Sequence, residues 1–227
     1  MRIYQSFTEA LSEIKRDISE MGIEVHTSTY QNKYIANDPE FATKEVQNYI
    51  YSVIDPDGKD LNPNQPWAEV EFTERIDSKW VNPGEAYKLR PEVWDEFLHK
   101  DTGRFDYSYN ERIRNCNQLE EIILTLTNDP NSRQCFLSVW QTTDANKLEG
   151  FGRIPCTLGY QFQIREGKLN ITYLQRSADF ATHFNNDLYL AWKLQKYIAE
   201  RLNVPVGVYT HWIGSLHVFK RDIKGVF

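Results

Sequence analysis

The chain has 227 residues, of which 41% are hydrophobic and 14% aromatic, and its formal net charge at neutral pH is −6. This length is enough to enclose one sizeable core, and we predict a single domain over residues 1–227. The acidic balance argues against a nucleic-acid-binding protein, since such proteins carry a basic surface. It does not argue against a small phosphorylated ligand, which needs only a few local arginines.

Targeting and redox features predict a cytoplasmic protein. No run of eighteen apolar residues occurs, and the amphipathic start carries acidic residues, so neither a membrane span nor a signal peptide is expected. Cys116, Cys135 and Cys156 are an odd set with no CxxC spacing, and the histidines have no metal-ligand spacing. We therefore expect reduced thiols, no metal site and a cytoplasmic location, which would be the host cytoplasm if the source is viral.

The first half of the chain contains few clear elements. Apolar residues recur at helical spacing over 6–21, and Gly22 follows where a helix C-cap would lie. Segments 55–66 and 82–87 are rich in Pro and Gly and predict loops. Residues 117–127 predict a second helix, which the polar run at 128–133 ends.

The second half alternates between strand and helix patterns. The segment 186–202 predicts a helix with an Asn or Asp cap, and the turn at 165–168 predicts a β-hairpin. Strands are predicted over 135–141, 157–164, 170–177 and 206–220, where β-branched and aromatic residues concentrate. We predict an α+β fold with a mainly antiparallel or mixed sheet and flanking helices.

Cys156 is the candidate nucleophile. A free cysteine is most often a small buried hydrophobic residue, so Cys156 alone is a weak signal. It is accompanied by Pro155, by the run 175–177 and by His217. A nucleophilic thiolate needs a nearby positive charge, and Arg176 is a candidate for that charge and for binding a phosphate.

Six sequence blocks carry a resemblance to a known family. They are NDPNSR at 128–133, IPC at 154–156, YQFQIREGKL at 160–169, QRSAD at 175–179, HFNND at 183–187 and GSLHVF at 214–219. In this order and spacing they resemble the thymidylate synthase superfamily over residues 117–220. The first half matches more loosely, at 69–72, 93–96 and Tyr109.

The resemblance implies a thymidylate synthase-like fold and a covalent mechanism on a pyrimidine nucleoside monophosphate. Cys156 would attack C6 of the ring and make C5 nucleophilic toward a one-carbon unit carried by 5,10-methylenetetrahydrofolate. Covalent attack divides one difficult step into two easier ones. Gln175, Arg176 and Ser177 would contact the nucleotide, with the last two on the 5′-phosphate.

The resemblance also implies roles for residues outside that run. Arg133 would reach the phosphate from the other subunit of a homodimer, and His217 would reach the sugar hydroxyl. Glu69 would order water and move protons, and Tyr109 would line the pocket near the thiol. Trp94 would lie against the folate, and Asp179 would support the pterin side. Each has a plainer alternative: a solvated charged face for Glu69 and Glu71, core packing for Trp94 and His217, and a helix-end cation for Arg133.

Two departures from the synthases point to cytosine. Synthases have an asparagine at the position of Asp187, where its amide reads the uracil edge, and usually a histidine at the position of Thr157. A carboxylate accepts a hydrogen bond from the N4 amino group of cytosine, whereas it faces a second acceptor at O4 of uracil. Both departures resemble deoxycytidylate hydroxymethylase, in which water completes the transfer. The alternative is that Asp187 caps a helix beginning near Leu188.

Other departures leave details open. Gln134 stands where the family has a second arginine, Phe219 replaces a sugar-binding tyrosine, and Lys33 is the only candidate for a further phosphate contact near 31–34. The short segment after Phe219 suits a reaction that admits water. The leading hypothesis is a dCMP hydroxymethylase or a close cytosine-directed relative. The alternatives are a thymidylate synthase acting on dUMP and a non-catalytic nucleotide- or folate-binding relative.

Overall fold

The computed structural model describes residues 1–30, 33–35, 38–147 and 153–227. The expectation that Lys33 supplies a phosphate contact falls on a side chain outside this description. No helix within these ranges is long and apolar enough to cross a membrane.

The described strands are short near the N-terminus and long in the second half. They are β1 (Arg2–Tyr4), β2 (Ile23–Val25), β3 (Thr29–Tyr30), β4 (Lys33–Tyr34), β5 (Thr43–Val53), β6 (Phe136–Ser138), β7 (Thr157–Arg165), β8 (Lys168–Asp179) and β9 (Val206–Phe219). The α-helices are α1 (Phe7–Met21), α2 (Trp67–Ile76), α3 (Pro91–Trp94), α4 (Tyr109–Arg114), α5 (Gln118–Asn128), α6 (Phe184–Leu202) and α7 (Ile223–Val226).

Seven of the described strands form one mixed sheet. Its order is β1-β5-β9-β8-β7-β6, and β2 pairs with β5 at one end. The pairs β1/β5 and β8/β9 are parallel, and the other pairs are antiparallel. The predicted α+β fold with a mixed sheet and flanking helices is therefore confirmed.

The core lies between one face of the sheet and the helices α1, α5 and α6 that pack on it. Alternate residues along β8 and β9 point into this layer, among them Tyr173, Gln175, His211 and Ile213, each at most 1% exposed. The intervening residues, such as Trp212, lie on the opposite face and are only partly covered. Two polar side chains, Gln175 and His211, are thus placed inside an apolar layer, where they need partners.

The helix and turn predictions hold with one exception. Ser6 caps α1 by accepting a hydrogen bond from the Glu9 N–H at 3.2 Å, and positive φ values at Glu166 and Gly167 form the predicted hairpin turn between β7 and β8.

The exception is the start of α6, which begins at Phe184, before the predicted Asn or Asp cap. His183 is the N-cap and makes no side-chain cap bond. Asp187 lies inside the first turns, its N–H donating to the His183 carbonyl at 2.9 Å. The interpretation of Asp187 as a helix cap is therefore wrong, and its carboxyl is available for another purpose.

Candidate active site

Cys156 lies immediately before β7, half-buried beside β8. Its carbonyl accepts a hydrogen bond from the Arg176 N–H at 2.8 Å, so the chain pairing itself places the two residues together. The Arg176 Nη2 atom lies 3.8 Å from the Cys156 Sγ atom and also donates to the Ile154 carbonyl at 3.1 Å. Its Nε atom donates to the Pro155 carbonyl at 2.9 Å. The guanidinium is therefore fixed by backbone acceptors with its charge beside the sulfur.

Opposing influences act on the Cys156 thiol. Burial raises its pKa, and the positive charge of Arg176 lowers it. The carboxylates of Asp187 and Asp179 raise the pKa further, while Arg153 lowers it. The net direction is upward, so nearby cations determine how much thiolate is present.

Asp187 projects from α6 toward β8 and belongs to a buried hydrogen-bonded chain. The Gln175 Nε2 atom donates to Asp187 Oδ2 at 2.7 Å, and the Gln175 Oε1 atom lies 3.1 Å from His211 Nε2. Burial holds the pKa of His211 well below its usual value, so the imidazole is neutral. Because the Gln175 oxygen needs a donor, we assign the His211 proton to Nε2, which leaves Nδ1 to accept from the Tyr51 hydroxyl at 3.2 Å.

This chain of hydrogen bonds fixes which end of the Gln175 amide faces Asp187. Burial raises the pKa of Asp187 to about 6, against the lowering effects of the Gln175 hydrogen bond and of Arg75. The second carboxyl oxygen, Oδ1, accepts no hydrogen bond from the described part of the chain. It is therefore free to meet a ligand.

Tyr109 is the first residue of α4, positioned by a capping box in which Ser108 and Glu111 bond reciprocally. Its hydroxyl donates to Thr157 Oγ1 at 3.2 Å, and that oxygen also lies 2.9 Å from the Tyr173 hydroxyl. Thr157 thus links two tyrosines directly beside Cys156.

The sequence analysis missed Arg75. Its guanidinium is buried and lies 3.9 Å from the centroid of the Tyr109 ring, a cation–π arrangement. Its Nε atom donates to Glu71 Oε1 at 2.7 Å. Arg75 also lowers the pKa of Asp187, which places the Glu71–Arg75 pair at the same site. The Glu and Arg spacing of four residues was the signal available in the sequence.

Glu69, predicted to order water and move protons, contacts α6. Its side chain is 46% exposed and bonds to the Tyr189 hydroxyl and to Lys193 Nζ on the outer side of α6. The Glu71 side chain is 20% exposed. Residues two apart on a helix face different directions, so α2 cannot present both carboxylates to the thiol.

Trp94 and Asp179 are the two residues predicted to contact folate. The Trp94 ring stacks on Trp67 at 6.4 Å and lies 5.9 Å from His183, and its buried Nε1–H has no hydrogen-bond partner among the described residues. Asp179 Oδ1 accepts from the N–H groups of Ala181 and Thr182, leaving Oδ2 available. A flat ring with an unpaired donor and a free carboxylate oxygen fits the aromatic, hydrogen-bonding pterin of a folate.

The remaining predicted residues are His217, Ser177 and Arg133. His217 pairs with Asp179 across β9 and β8, and burial lowers its pKa. Ser177 lies two residues before Asp179, half-buried, with no hydrogen bond from its hydroxyl to the described residues. Arg133 is exposed, and among the described residues none of its side-chain contacts joins it to Cys156, Arg176 or Asp187 of its own chain. Within the described ranges, no group of three or more potential ligands could hold a metal ion.

Comparison with known proteins agrees with this geometry. The family model described as thymidylate synthase matches residues 82–226. A relative from Methanococcoides burtonii, provisionally named a thymidylate synthase, is 32% identical over 81% of this chain and 80% of its own length. The thymidylate synthase of Clostridium beijerinckii is 27% identical over 59% of this chain.

The shared portion of other relatives is smaller. The chain spans 55% of a Methanosarcina acetivorans relative and 49% of the Clostridium beijerinckii enzyme. The structure of thermostable thymidylate synthase A from Bacillus subtilis superposes with a TM-score of 0.77 at 21% identity, covering 98% of this chain and 83% of that one. The fold is therefore the thymidylate synthase fold, and the co-substrate used by the family is methylenetetrahydrofolate. Because the matching family model spans more than half of the chain and the Methanococcoides burtonii relative is 32% identical over 81% of it, the chain belongs to the thymidylate synthase family.

Proposed function

We propose that this chain transfers a one-carbon unit from methylenetetrahydrofolate to C5 of a cytosine nucleoside monophosphate. The observation that best supports cytosine is the hydrogen bond from Gln175 Nε2 to Asp187 Oδ2. Because His211 fixes the amide, Asp187 offers Oδ1 as an ionised acceptor for the N4 amino group of cytosine. Uracil would place its O4 acceptor against that oxygen, at a cost of about 1–3 kcal/mol.

In the proposed mechanism, Cys156 forms a bond from Sγ to C6 of the base, and the ring π electrons move to C5. Arg176 stabilises the attacking thiolate through its fixed guanidinium. The bound folate supplies the electrophilic carbon at the oxidation level of formaldehyde. We assign proton transfer on the base to Glu71, which pairs with Arg75, and to the Tyr109 hydroxyl, which donates to Thr157 next to Cys156. C5 bonds to the electrophilic carbon, and loss of the C5 proton then lets tetrahydrofolate depart as an amine, leaving an exocyclic methylene. Addition of water to the methylene returns an electron pair to the ring, and expulsion of Sγ restores the aromatic ring and frees the enzyme.

The product is proposed to be the hydroxymethyl nucleotide. Thr157 carries a small hydroxyl that Tyr109 and Tyr173 hold in place, and a water molecule can join such a network. Water adding to the activated carbon gives a hydroxymethyl group, whereas hydride transfer from the folate gives a methyl group and dihydrofolate.

The phosphate is proposed to bind Arg176 and Ser177, with Arg133 of the partner subunit completing the site. Homodimers are typical of the family. A partly covered sheet face that includes Leu174, Trp212 and Ile50 supplies a surface on which a second copy could pack.

The test is turnover with dCMP, CMP and dUMP in parallel, each with methylenetetrahydrofolate, with products identified by mass spectrometry. We expect hydroxymethylated cytosine nucleotide and no dihydrofolate. Activity confined to dUMP would refute the cytosine assignment, and dihydrofolate release with dCMP would indicate a methylase.

A thymidylate synthase activity on dUMP is the second candidate, and one observation favours it. The pKa of Asp187 is raised to about 6, so a protonated carboxyl is accessible, and its O–H could donate to O4 of uracil.

The non-catalytic alternative is tested by Cys156→Ser. We expect loss of turnover with little change in dCMP affinity, because serine keeps the shape and removes the thiolate. A turnover rate unchanged by this substitution would exclude covalent catalysis by Cys156.

A further inference from the structure

Arg153 is a buried cation surrounded by aromatic rings. It is 8% exposed and lies three residues before Cys156. Its guanidinium carbon lies 4.9 Å from the ring centroid of Trp94, 4.6 Å from that of Phe97, and 5.8 and 5.0 Å from those of Phe105 and Tyr107. We call these four rings the aromatic cage.

The cage distinguishes Arg153 from the other buried arginines near the site. Arg112 forms a buried ion pair with Asp144 at 2.7 Å, and Arg75 pairs with Glu71 at 2.7 Å. Arg153 forms no ion pair with the described residues. Ring faces stabilise a cation through their quadrupoles without neutralising it, so the charge of Arg153 still acts on its surroundings.

Arg176 alone cannot supply a constant positive charge at the sulfur. Two of its nitrogens already donate to backbone carbonyls. In the proposed function, the same guanidinium also faces the nucleotide phosphate. A phosphate of nearly two negative charges beside Arg176 would offset its effect on Cys156 at the moment when the thiolate is needed.

We propose that Arg153, held in the aromatic cage three residues before Cys156, is a positioning residue that keeps Cys156 nucleophilic by supplying an uncompensated positive charge while a phosphorylated ligand occupies Arg176. The phosphate part of this inference rests on the proposed function, but the effect on the free thiol does not. The positive charge of Arg153 lowers the pKa of the Cys156 thiol, in agreement with this proposal. The charged and titratable groups acting with it around the thiol are Arg176, Asp179, Asp187, Tyr107 and Tyr109.

The experiment measures the pH dependence of Cys156 alkylation by iodoacetamide, followed on the Cys156 peptide by mass spectrometry so that Cys116 and Cys135 do not interfere. Arg153→Gln should shift the midpoint upward by about one pH unit, or slow alkylation about tenfold below the midpoint, because one nearby cation is lost. Arg153→Lys keeps the charge and should recover at least half of the shift.

A matched control is Arg165→Met, which removes the same charge at the far end of β7, about 26 Å along the strand from Thr157, the residue after Cys156. It should leave the midpoint unchanged. If Arg153→Gln fails to fold, Phe97→Leu loosens the aromatic cage while the net charge stays constant, and a smaller upward shift is expected.

A second measurement repeats the alkylation in the presence of inorganic phosphate. The shift caused by Arg153→Gln should persist at saturating phosphate, because the aromatic cage leaves no anion on Arg153. An unchanged midpoint in Arg153→Gln without phosphate would overturn the proposal. So would a shift that disappears with phosphate, since Arg153 would then be a phosphate ligand. Alkylation requires no turnover, so failure of the dCMP assay would leave this result intact.

Discussion

At the residue scale, hydrogen bonds from buried core residues determine how Gln175 and Asp187 are oriented. Tyr51 donates to His211, His211 donates to Gln175, and Gln175 donates to Asp187. Rotating the Gln175 amide would set its oxygen against Asp187 Oδ2, two acceptors facing each other in a buried site. In the proposed function, the base edge therefore meets a carboxyl whose position is fixed by residues that the base does not contact.

This orientation predicts the effect of Asp187→Asn. Gln175 would donate to the new amide oxygen, leaving the amide N–H groups to face the base. We expect kcat/KM with dCMP to fall about 10- to 100-fold, which corresponds to 1–3 kcal/mol, and kcat/KM with dUMP to rise. Steady-state kinetics on both substrates measure this. An unchanged dCMP value would mean that residue 187 does not contact the base.

The raised pKa of Asp187 predicts a pH-dependent substrate preference. Below about pH 6 the protonated carboxyl can donate to O4 of uracil, and above it the carboxylate accepts from N4 of cytosine. Ionisation of Cys156 affects both substrates equally and cancels in their ratio. We expect the dCMP to dUMP ratio of kcat/KM to rise with pH, approaching tenfold per pH unit around pH 6. A ratio that stays flat with pH would contradict the assignment of Asp187 as the discriminating group.

At the element scale, α2 separates two carboxylates that the sequence places close together. Glu69 and Glu71 are both acidic, both part of the loosely matched segment and only two positions apart, so sequence alone could not distinguish them. The helix turns them to different faces, and only Glu71 joins Arg75 and Tyr109. The choice depends on which side of α2 packs against α4 and which against α6, and this is set by tertiary structure.

The comparison of Glu71→Gln with Glu69→Gln tests this separation. Glu71→Gln removes the ion pair to Arg75 and a proton acceptor, and we expect kcat to fall about 10²-fold or more, as for loss of a general acid–base group. Glu69→Gln breaks an exposed contact to Lys193 and should change kcat less than about threefold. The opposite order would restore Glu69 as the catalytic carboxylate.

Other elements show which features local sequence could predict. The hairpin at 165–168 and α1 follow from turn and capping residues, and both are present. The start of α6 was missed because its N-cap, His183, has no capping side chain to mark it. The aromatic cage around Arg153 joins segments 94–107 and 153, a contact that no local pattern records.

At the scale of the whole molecule, the sheet has one face covered by helices and one only partly covered. Trp212 from β9 and Leu174 from β8 are neighbours in register on that open face. Exposed apolar sheet faces of this kind commonly pack against a second copy. Arg133 lies just before β6, the edge strand of the same sheet, exposed and outside its own cluster. A homodimer would give it a phosphate to bind.

Mixing two impaired variants, Arg133→Ala and Cys156→Ser, tests this shared site. Arg133→Ala removes a charge-assisted contact and should lower kcat/KM about 10- to 100-fold, while Cys156→Ser abolishes turnover. In a mixed dimer, one site keeps Cys156 from one subunit and Arg133 of the partner subunit. After unfolding and refolding an equal mixture, half the dimers are mixed and each has one intact site, so activity should recover to about a quarter of wild type. Refolding each variant alone is the control. If the mixture shows only the average of the two parents, Arg133 acts within its own chain or not at all.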